Sequence, residues 1–380
     1  MADRRPGGLL VTGGAGFIGV NFVRSRLARE PQARVVVLDA LTYAGHRPSL
    51  DDVATCPGFR FVHGDIRDRE LVLDLLRGEA LDTIVHFAAE SHVDRSISAS
   101  AAFIETNVVG THALLEAARI VWLEEGAGAP HRFHHVSTDE VYGSLGPDDP
   151  PFTEDSPYRP NSPYAASKAA SDHLVRAYHR TYGLRTTVSN CSNNYGPYQH
   201  PEKLIPLCVV NLLRGEELPV YGDGSNVRDW LHVEDHCAGI DRILERGQEG
   251  AIYNLGGGCE RTNLDLVTEI CRLFDAAFEQ SPELVERYPL SPPANGERSA
   301  SKITFVRDRP GHDRRYAIDA GRATGELGHS NRYDLRSGLG QTLRWYLDNP
   351  DWCRNVMDPD YRAWIASQYP SGGAGDSGPV

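Results

Sequence analysis

Two adjacent carboxylic acids follow a hydroxyl residue near the middle of the chain. Thr138 is followed directly by Asp139 and Glu140. One carboxyl group can give a proton to a leaving hydroxyl group while the other takes a proton from the neighbouring carbon, which is the usual division of general acid–base work. Isolated acidic pairs are more often solvated turns. This pair, however, ends a strand-like run, where ligands bind in α/β sheets, and the sequence therefore predicts a site that eliminates water.

Tyr164 and Lys168 have the spacing of a second reactive pair. Four residues apart, they share one face of a helix, and Pro163 is a suitable first helical residue. A free tyrosine has a pKa of about 10, which is too high for a base at neutral pH. A nearby positive charge, such as the Lys168 ammonium, would favour the phenolate. The spacing alone is usually an ordinary surface pair, but here it follows Thr138, a hydroxyl partner of the expected kind.

A glycine-rich turn near the start of the chain predicts a dinucleotide site. Gly14, Gly16 and Gly19 match G-x-G-x-x-G, while Gly13 replaces Gly14 in the longer pattern G-x-x-G-x-x-G. Such glycines allow a tight turn and a close approach of backbone to a pyrophosphate at a helix N-terminus. A glycine turn in an unrelated α/β fold is the alternative. Asp39, twenty residues after Gly19 at a strand end and with no adjacent arginine, favours NAD over NADP.

Short apolar runs alternate with helix-like stretches through the first half of the chain. This alternation predicts an α/β fold with a doubly wound parallel sheet, a Rossmann-type NAD domain. The predicted strands are Leu9–Val11, Val35–Leu38, Phe59–Val62, Thr83–Ala88, Phe133–Ser137 and Leu184–Ser189. The predicted helices between them are Phe17–Arg29, Glu70–Leu76, Ala102–Glu124 and Ala165–Tyr182.

Proline and glycine become frequent after Asn193, which predicts a change of domain. We expect an NAD-binding domain over residues 1–193 with a return segment near 228–262, and a smaller C-terminal α/β lobe for the substrate over 194–370. The stretch 278–300 is polar, contains proline and has no period, so we interpret it as a surface insertion. The Gly- and Ser-rich tail 371–380 is predicted to be disordered.

Composition narrows the class of protein. The chain has 380 residues, of which 40% are hydrophobic and 24% charged, as in an ordinary globular enzyme. Its net charge of -13 disfavours nucleic acid or an anionic membrane as a partner. No apolar run reaches the ~18 residues of a membrane span, and the N-terminal residues lack the apolar core of a signal peptide. The seven cysteines are scattered without a C-x-x-C pair, which favours free thiols in the cytoplasm and predicts no metal site.

Six motifs in order make the resemblance to a known family specific. Together they resemble the dTDP-glucose 4,6-dehydratases, a family of extended short-chain dehydrogenase/reductases, over about Leu9 to Tyr369. The motifs occupy residues 13–19, 88–96, 137–143, 164–168, 190–197 and 309–316.

The resemblance implies a role for each matching residue. Thr138, Tyr164 and Lys168 would serve oxidation at C4 of the sugar, Asp139 would be the acid at the C6 hydroxyl, and Glu140 the base at C5. Asp65 and Ile66 would hold the adenine. The implied NAD site contains Gly13, Gly16, Phe17, Ile18, Gly19, Asp39, Ala40, Leu41, Thr42, Asp65, Ile66, Ala88, Ala89, Glu90, Ser91, Thr106, Tyr164, Lys168 and Asn194. The implied sugar-nucleotide site contains His92, Thr138, Asp139, Glu140, Asn193, Lys203, Leu204, Pro219, Tyr221, Arg228, Asn263, Arg309, His312 and Tyr316.

The resemblance implies conversion of a nucleotide-activated glucose, dTDP-glucose by preference, to its 4-keto-6-deoxy product and water. A sugar-nucleotide 4-epimerase or decarboxylase of the same fold is the enzymatic alternative, since an epimerase needs Tyr164, Lys168 and NAD but no second acid–base pair. A non-catalytic NAD-binding regulatory protein is the alternative of another class. The resemblance also implies a homodimer through the helices near Thr111–Glu124 and Ala169–Tyr182, although core burial would produce the same apolar spacing.

Overall fold

The computed structural model describes residues 4–126, 128–308 and 311–357. The predicted tail 371–380 lies outside the described residues. The strands are β1 Leu9–Thr12, β2 Val35–Asp39, β3 Phe59–His63, β4 Thr83–His86, β5 Arg132–Thr138, β6 Thr186–Cys191, β7 Asn193–Tyr195, β8 Leu218–Tyr221, β9 Val227–His232, β10 Ile252–Leu255, β11 Glu260–Thr262 and β12 Ile303–Val306.

Helices connect the strands. The α-helices are α1 Phe17–Arg29, α2 Arg69–Gly78, α3 Val93–Ser98, α4 Ser100–Phe103, α5 Thr111–Ala118, α6 Pro163–Tyr182, α7 Leu204–Arg214, α8 Val233–Arg246, α9 Asn263–Gln280, α10 Glu283–Arg287, α11 Gly321–Leu327, α12 Leu335–Asp348 and α13 Pro350–Val356. Wider π-type turns precede and follow α5, at Ile104–Gly110 and Arg119–Glu125. Short 3-10 turns occupy Arg47–Val53, Asp139–Tyr142, Pro293–Asn295 and Ser299–Lys302.

Seven strands form the parallel sheet that the alternating pattern predicts. Their order is β3-β2-β1-β4-β5-β6-β10, and each neighbouring pair runs parallel. The chain leaves β1 in one direction and returns at β4 on its other side, which makes the switch point where ligands bind in such sheets. The predicted doubly wound Rossmann-type fold is confirmed.

The apolar residues of the central strands alternate between two cores, one on each face of the sheet. Leu9 and Val11 of β1 pack on one face with residues of α1 and α8, whereas Leu10 packs on the other with residues of α2, α5 and α6. All three are at most 1% exposed. Burial on both faces explains why these strands are continuous apolar runs in the sequence.

The described residues fall into two compact units, each built from separate stretches of chain. The first contains residues up to 198, 225–263 and 308–338, and the second contains 199–224, 264–307 and the residues from 339 onward. The first unit holds the seven-stranded sheet and a small sheet in the order β11-β9-β7; the second holds the parallel pair β8 and β12. The predicted domain boundary at residue 193 and the substrate role of 194–370 stay predictions.

The stretch 278–300 differs from the aperiodic surface insertion that the sequence suggested. The helix α9 reaches Gln280, the short helix α10 follows, and two 3-10 turns complete the stretch. Ser291 and Ser299 are fully buried, and Leu284 is nearly so. Asp275 accepts hydrogen bonds from the backbone nitrogen and the hydroxyl of Ser299. Most residues of the stretch are exposed, as expected of a surface segment. Its helical turns were not predicted, because its polar residues carry no helical period.

Candidate active site

The glycine turn between β1 and α1 is packed too closely to accept side chains. A Cβ atom built on Gly13, whose φ is +69°, would lie 2.6 Å from the backbone nitrogen of Ala88. A Cβ atom on Gly19 would lie 2.2 Å from the carbonyl oxygen of Gly13. Gly16 caps α1 without a side chain, so the amide groups of the first turn, including those of Phe17 and Ile18, remain free of helical partners. This is the geometry that admits a pyrophosphate.

Asp39 joins the end of β2 to the glycine turn. Its two carboxylate oxygens accept hydrogen bonds from the backbone nitrogens of Ala15 and Leu41, each at 2.8 Å. Burial raises the pKa of Asp39, while these two bonds act in the opposite direction. Leu41 has a positive φ of 50°, an uncommon conformation for a side chain of its size. The loop Asp39–Thr42 is therefore held in a specific shape at the expected adenosine position.

Asp65 and Ile66 follow β3 at the same edge of the sheet. Asp65 accepts a hydrogen bond from the Arg67 backbone nitrogen at 2.8 Å and pairs with its guanidinium, which lowers the pKa of Asp65. Ile66 is 4% exposed. A Cβ atom on Gly110 would lie 2.5 Å from its Cδ1 atom. The structure thus places both residues where the sequence predicted them, as a fixed loop at a strand's carboxyl end.

The loop after β4, Ala88–Ser91, is tied to the helix that carries Tyr164. Asn107 accepts a hydrogen bond from the Glu90 backbone nitrogen at 2.8 Å and donates one to the Glu90 carbonyl at 3.0 Å. Its amide also donates to the hydroxyl of Ser167 at 2.8 Å. Thr106, a predicted cofactor residue, immediately precedes Asn107. One buried amide therefore fixes the spacing between two parts of the candidate NAD site.

Thr138, Asp139 and Glu140 form the turn at the end of β5. The Thr138 hydroxyl accepts a hydrogen bond from the Glu140 backbone nitrogen at 3.3 Å and so caps the 3-10 turn Asp139–Tyr142. Asp139 is 2% exposed, whereas Glu140 is only partly buried. The two carboxyl groups are adjacent in sequence but differ in solvation, and a solvated turn does not describe this geometry.

The environment of Asp139 favours a neutral carboxyl group. Burial raises the pKa of Asp139 well above its usual range, and the negative charges of Glu140 and Asp229 raise it further, while Arg228 lowers it. Its Oδ2 atom is buried without a hydrogen-bond partner among the described residues. A buried carboxyl group that keeps its proton at neutral pH can act as a general acid.

Tyr164 and Lys168 lie on the first turns of α6, which begins at Pro163 as predicted. Ser162 accepts a hydrogen bond from the Ala165 nitrogen at 3.0 Å, and Pro163 is the first helical residue. Lys168 is buried, and its Nζ atom donates to the Val136 carbonyl of β5 at 2.8 Å. The helix face that carries the pair is thereby anchored against the strand that carries Thr138.

The pKa of Tyr164 is shifted opposite to the direction that a base requires. Burial raises it well above 10, the charge of Glu140 and the neighbouring Cys191 raise it further, and a hydrogen bond with Thr138 lowers it. The phenolate therefore depends on positive charge near the ring. Lys168 is the cation that its own helix supplies.

Arg228 and Tyr316, both predicted to bind the sugar nucleotide, lie against each other. The guanidinium carbon of Arg228 is 4.3 Å from the centre of the Tyr316 ring. Arg228 donates to the carbonyl of Asp313 at 2.9 Å, and the Tyr316 hydroxyl donates to the Asp313 carboxylate. Arg228 acts on the pKa of Asp139, and Glu140 acts on that of Tyr316. The structure therefore brings this pair next to the two carboxyl groups.

The remaining predicted residues of the first unit lie on separate elements. His92 is buried and precedes α3, and Asn263 begins α9. The Oδ1 atom of Asn193 is buried without a hydrogen-bond partner among the described residues, as expected of an amide that serves a ligand. The Oδ1 atom of Asn194 lies 2.9 Å from Nδ1 of His236. His312 lies 2.6 Å from the Asp308 carboxylate.

Four predicted substrate residues belong to the second unit. Lys203 precedes α7, Leu204 is its first residue, and Pro219 and Tyr221 lie on β8. They are grouped within that unit, as a helix start and a neighbouring strand. Arg309 lies outside the described residues, so its predicted role is not tested.

Three buried residues near Lys168 were missed by sequence reasoning. His135 and Asp172 approach each other to 3.2 Å, and Cys191 donates a weak hydrogen bond to the Ser137 carbonyl at 3.4 Å. Burial raises the pKa of Cys191 to about 12, which leaves it a thiol. Asp172 follows Lys168 by four residues, so its position on the Tyr164–Lys168 face was the signal in the sequence.

Other kinds of site receive no support from the described residues. Within 4–126, 128–308 and 311–357, no group of three or more His, Cys, Asp or Glu side chains could hold a metal ion. In the same part of the chain, no helix is long and apolar enough to cross a membrane.

A Rossmann-type sheet with a glycine turn, an acid at the end of β2 and a Tyr–Lys pair defines a nucleotide-dependent dehydrogenase-type protein. Comparison with known proteins narrows this class. A family model described as GDP-mannose 4,6 dehydratase matches residues 10–342. The dTDP-glucose 4,6-dehydratase of Xanthomonas campestris pv. campestris (strain B100) is 53% identical over 355 residues, 93% of this chain and 97% of that protein.

Solved structures agree with the sequence match. DesIV, the dTDP-glucose 4,6-dehydratase from Streptomyces venezuelae with NAD and TYD bound, is 51% identical with a TM-score of 0.79, covering 92% of this chain and 99% of that one. The UDP-glucose 4-epimerase of Thermotoga maritima is 26% identical with a TM-score of 0.75, covering 90% and 99%. The chain therefore belongs to the dTDP-glucose 4,6-dehydratase family of extended short-chain dehydrogenase/reductases.

Proposed function

We propose that the protein is an NAD-dependent hydro-lyase that converts dTDP-glucose to dTDP-4-keto-6-deoxyglucose and water. The observation that carries this proposal is the buried carboxyl group of Asp139, whose pKa is raised well above its usual range beside Glu140. A 4-epimerase has no use for a neutral acid and a second carboxylate beside the Tyr–Lys pair. Relatives that carry this activity in their names, at about half identity over nearly the whole chain, support the same reading.

The residues at the carboxyl edge of the sheet fit NAD. The packed glycine turn leaves no room for side chains between backbone and pyrophosphate, and the shaped loop Asp39–Thr42 offers a carboxylate to the adenosine ribose. A nicotinamide cofactor held by these residues would supply an acceptor for the C4 hydride and, in its reduced form, the donor of that hydride to C6. The lack of an adjacent arginine at Asp39 supports NAD rather than NADP.

The first proton transfer falls to Tyr164. In its phenolate form, with Thr138 hydrogen-bonded and Lys168 on the same helix face, Tyr164 takes the proton of the C4 hydroxyl. The ketone formed at C4 makes the hydrogen on C5 acidic. This step needs only the residues that an epimerase also has, and it leaves both carboxyl groups for the next one.

Elimination then uses the two carboxyl groups in opposite senses. Glu140, partly buried, takes the C5 proton, and Asp139 gives its proton to the C6 hydroxyl, which leaves as water. Glu140 returns a proton to C5 when C6 is reduced. At the end of the cycle Asp139 is deprotonated and Tyr164 is protonated. Transfer of one proton from Tyr164 to Asp139 restores the starting state of both residues. The separation of a buried acid from a solvated base keeps each group in the protonation state that its step requires.

The sugar nucleotide is proposed to lie on Arg228, Tyr316, His312 and Asn193. Arg228 supplies planar donors suited to a diphosphate, and its place beside Asp139 and Glu140 would bring the sugar to the carboxyl groups. His92, Asn263 and Arg309, of which Arg309 lies outside the described residues, are also proposed to bind the sugar nucleotide. Lys203, Leu204, Pro219 and Tyr221 are proposed to bind the nucleotide base.

Assembly as a homodimer and location in the cytoplasm also belong to this proposal. Ile104, Val109 and Tyr182 are large apolar residues with between 43% and 50% of their surface exposed, on or beside the helices expected at the dimer interface. Such residues favour a second copy of the chain as their cover. All seven cysteines are free, as expected for a reducing compartment.

Product analysis tests the proposed function. The purified protein is incubated with dTDP-, UDP- and CDP-glucose, and the products are weighed by mass spectrometry. We expect loss of one water from the sugar nucleotide, fastest with dTDP-glucose. A product of unchanged mass would identify an epimerase, and no product would favour a non-catalytic NAD-binding protein.

A further inference from the structure

The third turn of α6 carries a buried acid that the proposed mechanism does not use. Asp172 follows Lys168 by four residues, as Lys168 follows Tyr164, so the three side chains share one face of the helix. Asp172 is 3% exposed. A buried carboxylate is costly unless it is paired and hydrogen-bonded, so its presence behind the Tyr–Lys pair requires a physical account.

Two hydroxyl groups hold the Asp172 carboxylate in place. Its Oδ2 atom accepts a hydrogen bond from Ser137 Oγ at 2.8 Å and another from the Tyr158 hydroxyl at 2.9 Å. Ser137 immediately precedes Thr138 on β5. The carboxylate is therefore anchored to the strand that ends in the candidate catalytic turn, and its second oxygen is left to face His135.

His135 lies between Asp172 and Lys168. Its Nε2 atom is 3.2 Å from Asp172 Oδ1 and 3.4 Å from Lys168 Nζ. Burial and the Lys168 charge lower the pKa of His135 well below its usual range, so the ring is neutral. When Nε2 of the neutral ring carries the proton, it can donate to Asp172; when Nε2 is unprotonated, it can accept from Lys168. In both tautomers the ring lies between the two charged groups and carries no charge itself.

The charges of the pair support each other. Burial lowers the pKa of Lys168 to about 8 and raises that of Asp172 to about 6, and each group opposes the shift of the other. Between these values the lysine is an ammonium and the aspartate a carboxylate. Other titratable groups around them are His86 on β4, His135 on β5, Cys191 on β6, and Tyr158, Tyr164 and His173 on or near α6.

We propose that Asp172 is a positioning residue that, with His135, keeps Lys168 an ammonium beside Tyr164. The proposal rests on the proposed function for the roles of Tyr164 and Lys168, and it adds the counter-charge that a fully buried lysine needs. Without Asp172, the desolvation of Lys168 would be opposed mainly by groups that are neutral at pH 7. The lysine would then lose its proton at a lower pH, and Tyr164 would lose the positive charge on which its phenolate depends.

The proposal can be tested without substrate because the chain contains only three lysines, Lys168, Lys203 and Lys302. Isotope-labelled lysine would give three NMR signals, and the one absent from Lys168→Arg is that of Lys168. We expect the Lys168 signal of the NAD-loaded wild type to titrate near pH 8. In Asp172→Asn, which keeps the shape of the side chain, the midpoint should fall by about one pH unit or more.

Two further variants test whether the shift of the Lys168 midpoint depends on the Asp172 carboxylate. Tyr158→Phe removes one donor to the carboxylate and should shift the Lys168 midpoint in the same direction by less. Ser171→Ala removes a buried hydroxyl that donates to the Asn107 carbonyl, in the π-type turn before α5, and to the Ser167 carbonyl, one turn earlier in α6. This variant should not move the Lys168 midpoint. If Asp172→Asn does not fold, the comparison of Tyr158→Phe with Ser171→Ala remains decisive.

The rate of C4 oxidation gives the matching functional readout. In Asp172→Asn, with a Lys168 midpoint about one unit lower, we expect kcat to fall about twofold at pH 7 and about tenfold at pH 9, because the ammonium fraction of Lys168 changes in that way. A Lys168 midpoint equal to that of the wild type would overturn the proposal, as would a loss of rate that is uniform across pH. Failure of the proposed function would appear differently, as absence of product in the wild type with the Lys168 shift intact.

Discussion

The carboxyl groups of Asp139 and Glu140 are neighbours in sequence but differ in burial. Asp139 is 2% exposed and Glu140 is partly exposed. The charge of Glu140 is one cause of the raised pKa of Asp139. In such surroundings the buried carboxyl group keeps a proton while the more exposed one is ionised, so one can act as the acid and the other as the base.

Tyr164→Phe should abolish C4 oxidation without emptying the cofactor site. Removal of a general base typically costs about 10²–10⁴-fold in rate, whereas Asp39 and the glycine turn are untouched. The measurement pairs kcat with the NAD content of the purified protein. Turnover close to that of the wild type would place the base on another residue, and loss of NAD would mean that Tyr164 acts in binding.

Replacing Asp39 with alanine and introducing an arginine nearby should move cofactor preference toward NADP. The Asp39 carboxylate repels the 2′-phosphate of NADP, and an arginine would attract it. The structure adds a cost, since the Ala15 and Leu41 amides would lose their acceptor. An unpaired buried amide costs about 1–3 kcal/mol, so the melting temperature should also fall. Affinity for both cofactors is measured by calorimetry. Equal binding of NAD and NADP by the wild type would contradict the role of Asp39.

Asp139→Asn should stabilise the fold increasingly as pH rises. The pKa of Asp139 is raised in the folded chain, so between about pH 4, the unfolded value, and the folded value, the folded state binds more protons and loses stability as pH increases. Asparagine removes that titration. Melting temperatures of the wild type and of Asp139→Asn near pH 5, 7 and 9 measure this difference. A difference from the wild type that does not grow with pH would mean that Asp139 is already ionised.

The sequence predicted strands β1 and β2 of the main sheet because both are fully buried and consist mostly of apolar residues. Val35–Leu38, for example, is continuous and fully apolar, and it corresponds to β2. The polar strand β9 was not predicted. Arg228 and Asp229 are buried within it, where Asp229 accepts hydrogen bonds from the backbone nitrogens of Gly257 and Cys259. A strand whose charged side chains pair with distant residues lacks the alternation of apolar and polar residues by which strands are predicted from sequence.

The candidate site was predictable where neighbours in sequence are neighbours in space. Thr138, Asp139 and Glu140 form one turn, and Tyr164 and Lys168 share one helix face. The contact of His135 with Asp172 was not predictable, because it joins residues 37 positions apart (135 to 172) on a strand and a helix. The pKa of Asp139 likewise depends on the charges of Arg228 and Asp229, which come from a distant part of the chain.

The most direct measurement compares Glu140→Gln with Asp139→Asn during a single turnover with dTDP-glucose in deuterated water. Neither carboxylate is needed to take the C4 proton, so we expect both variants to accumulate reduced nicotinamide, seen as absorbance that decays slowly, and to release product about 10²–10⁴-fold more slowly. Deuterium entry at C5 should fall most in Glu140→Gln, which lacks the base, and less in Asp139→Asn, which lacks only the acid. If both variants eliminate water at the wild-type rate, the pair has no role in elimination and the account of this site is wrong.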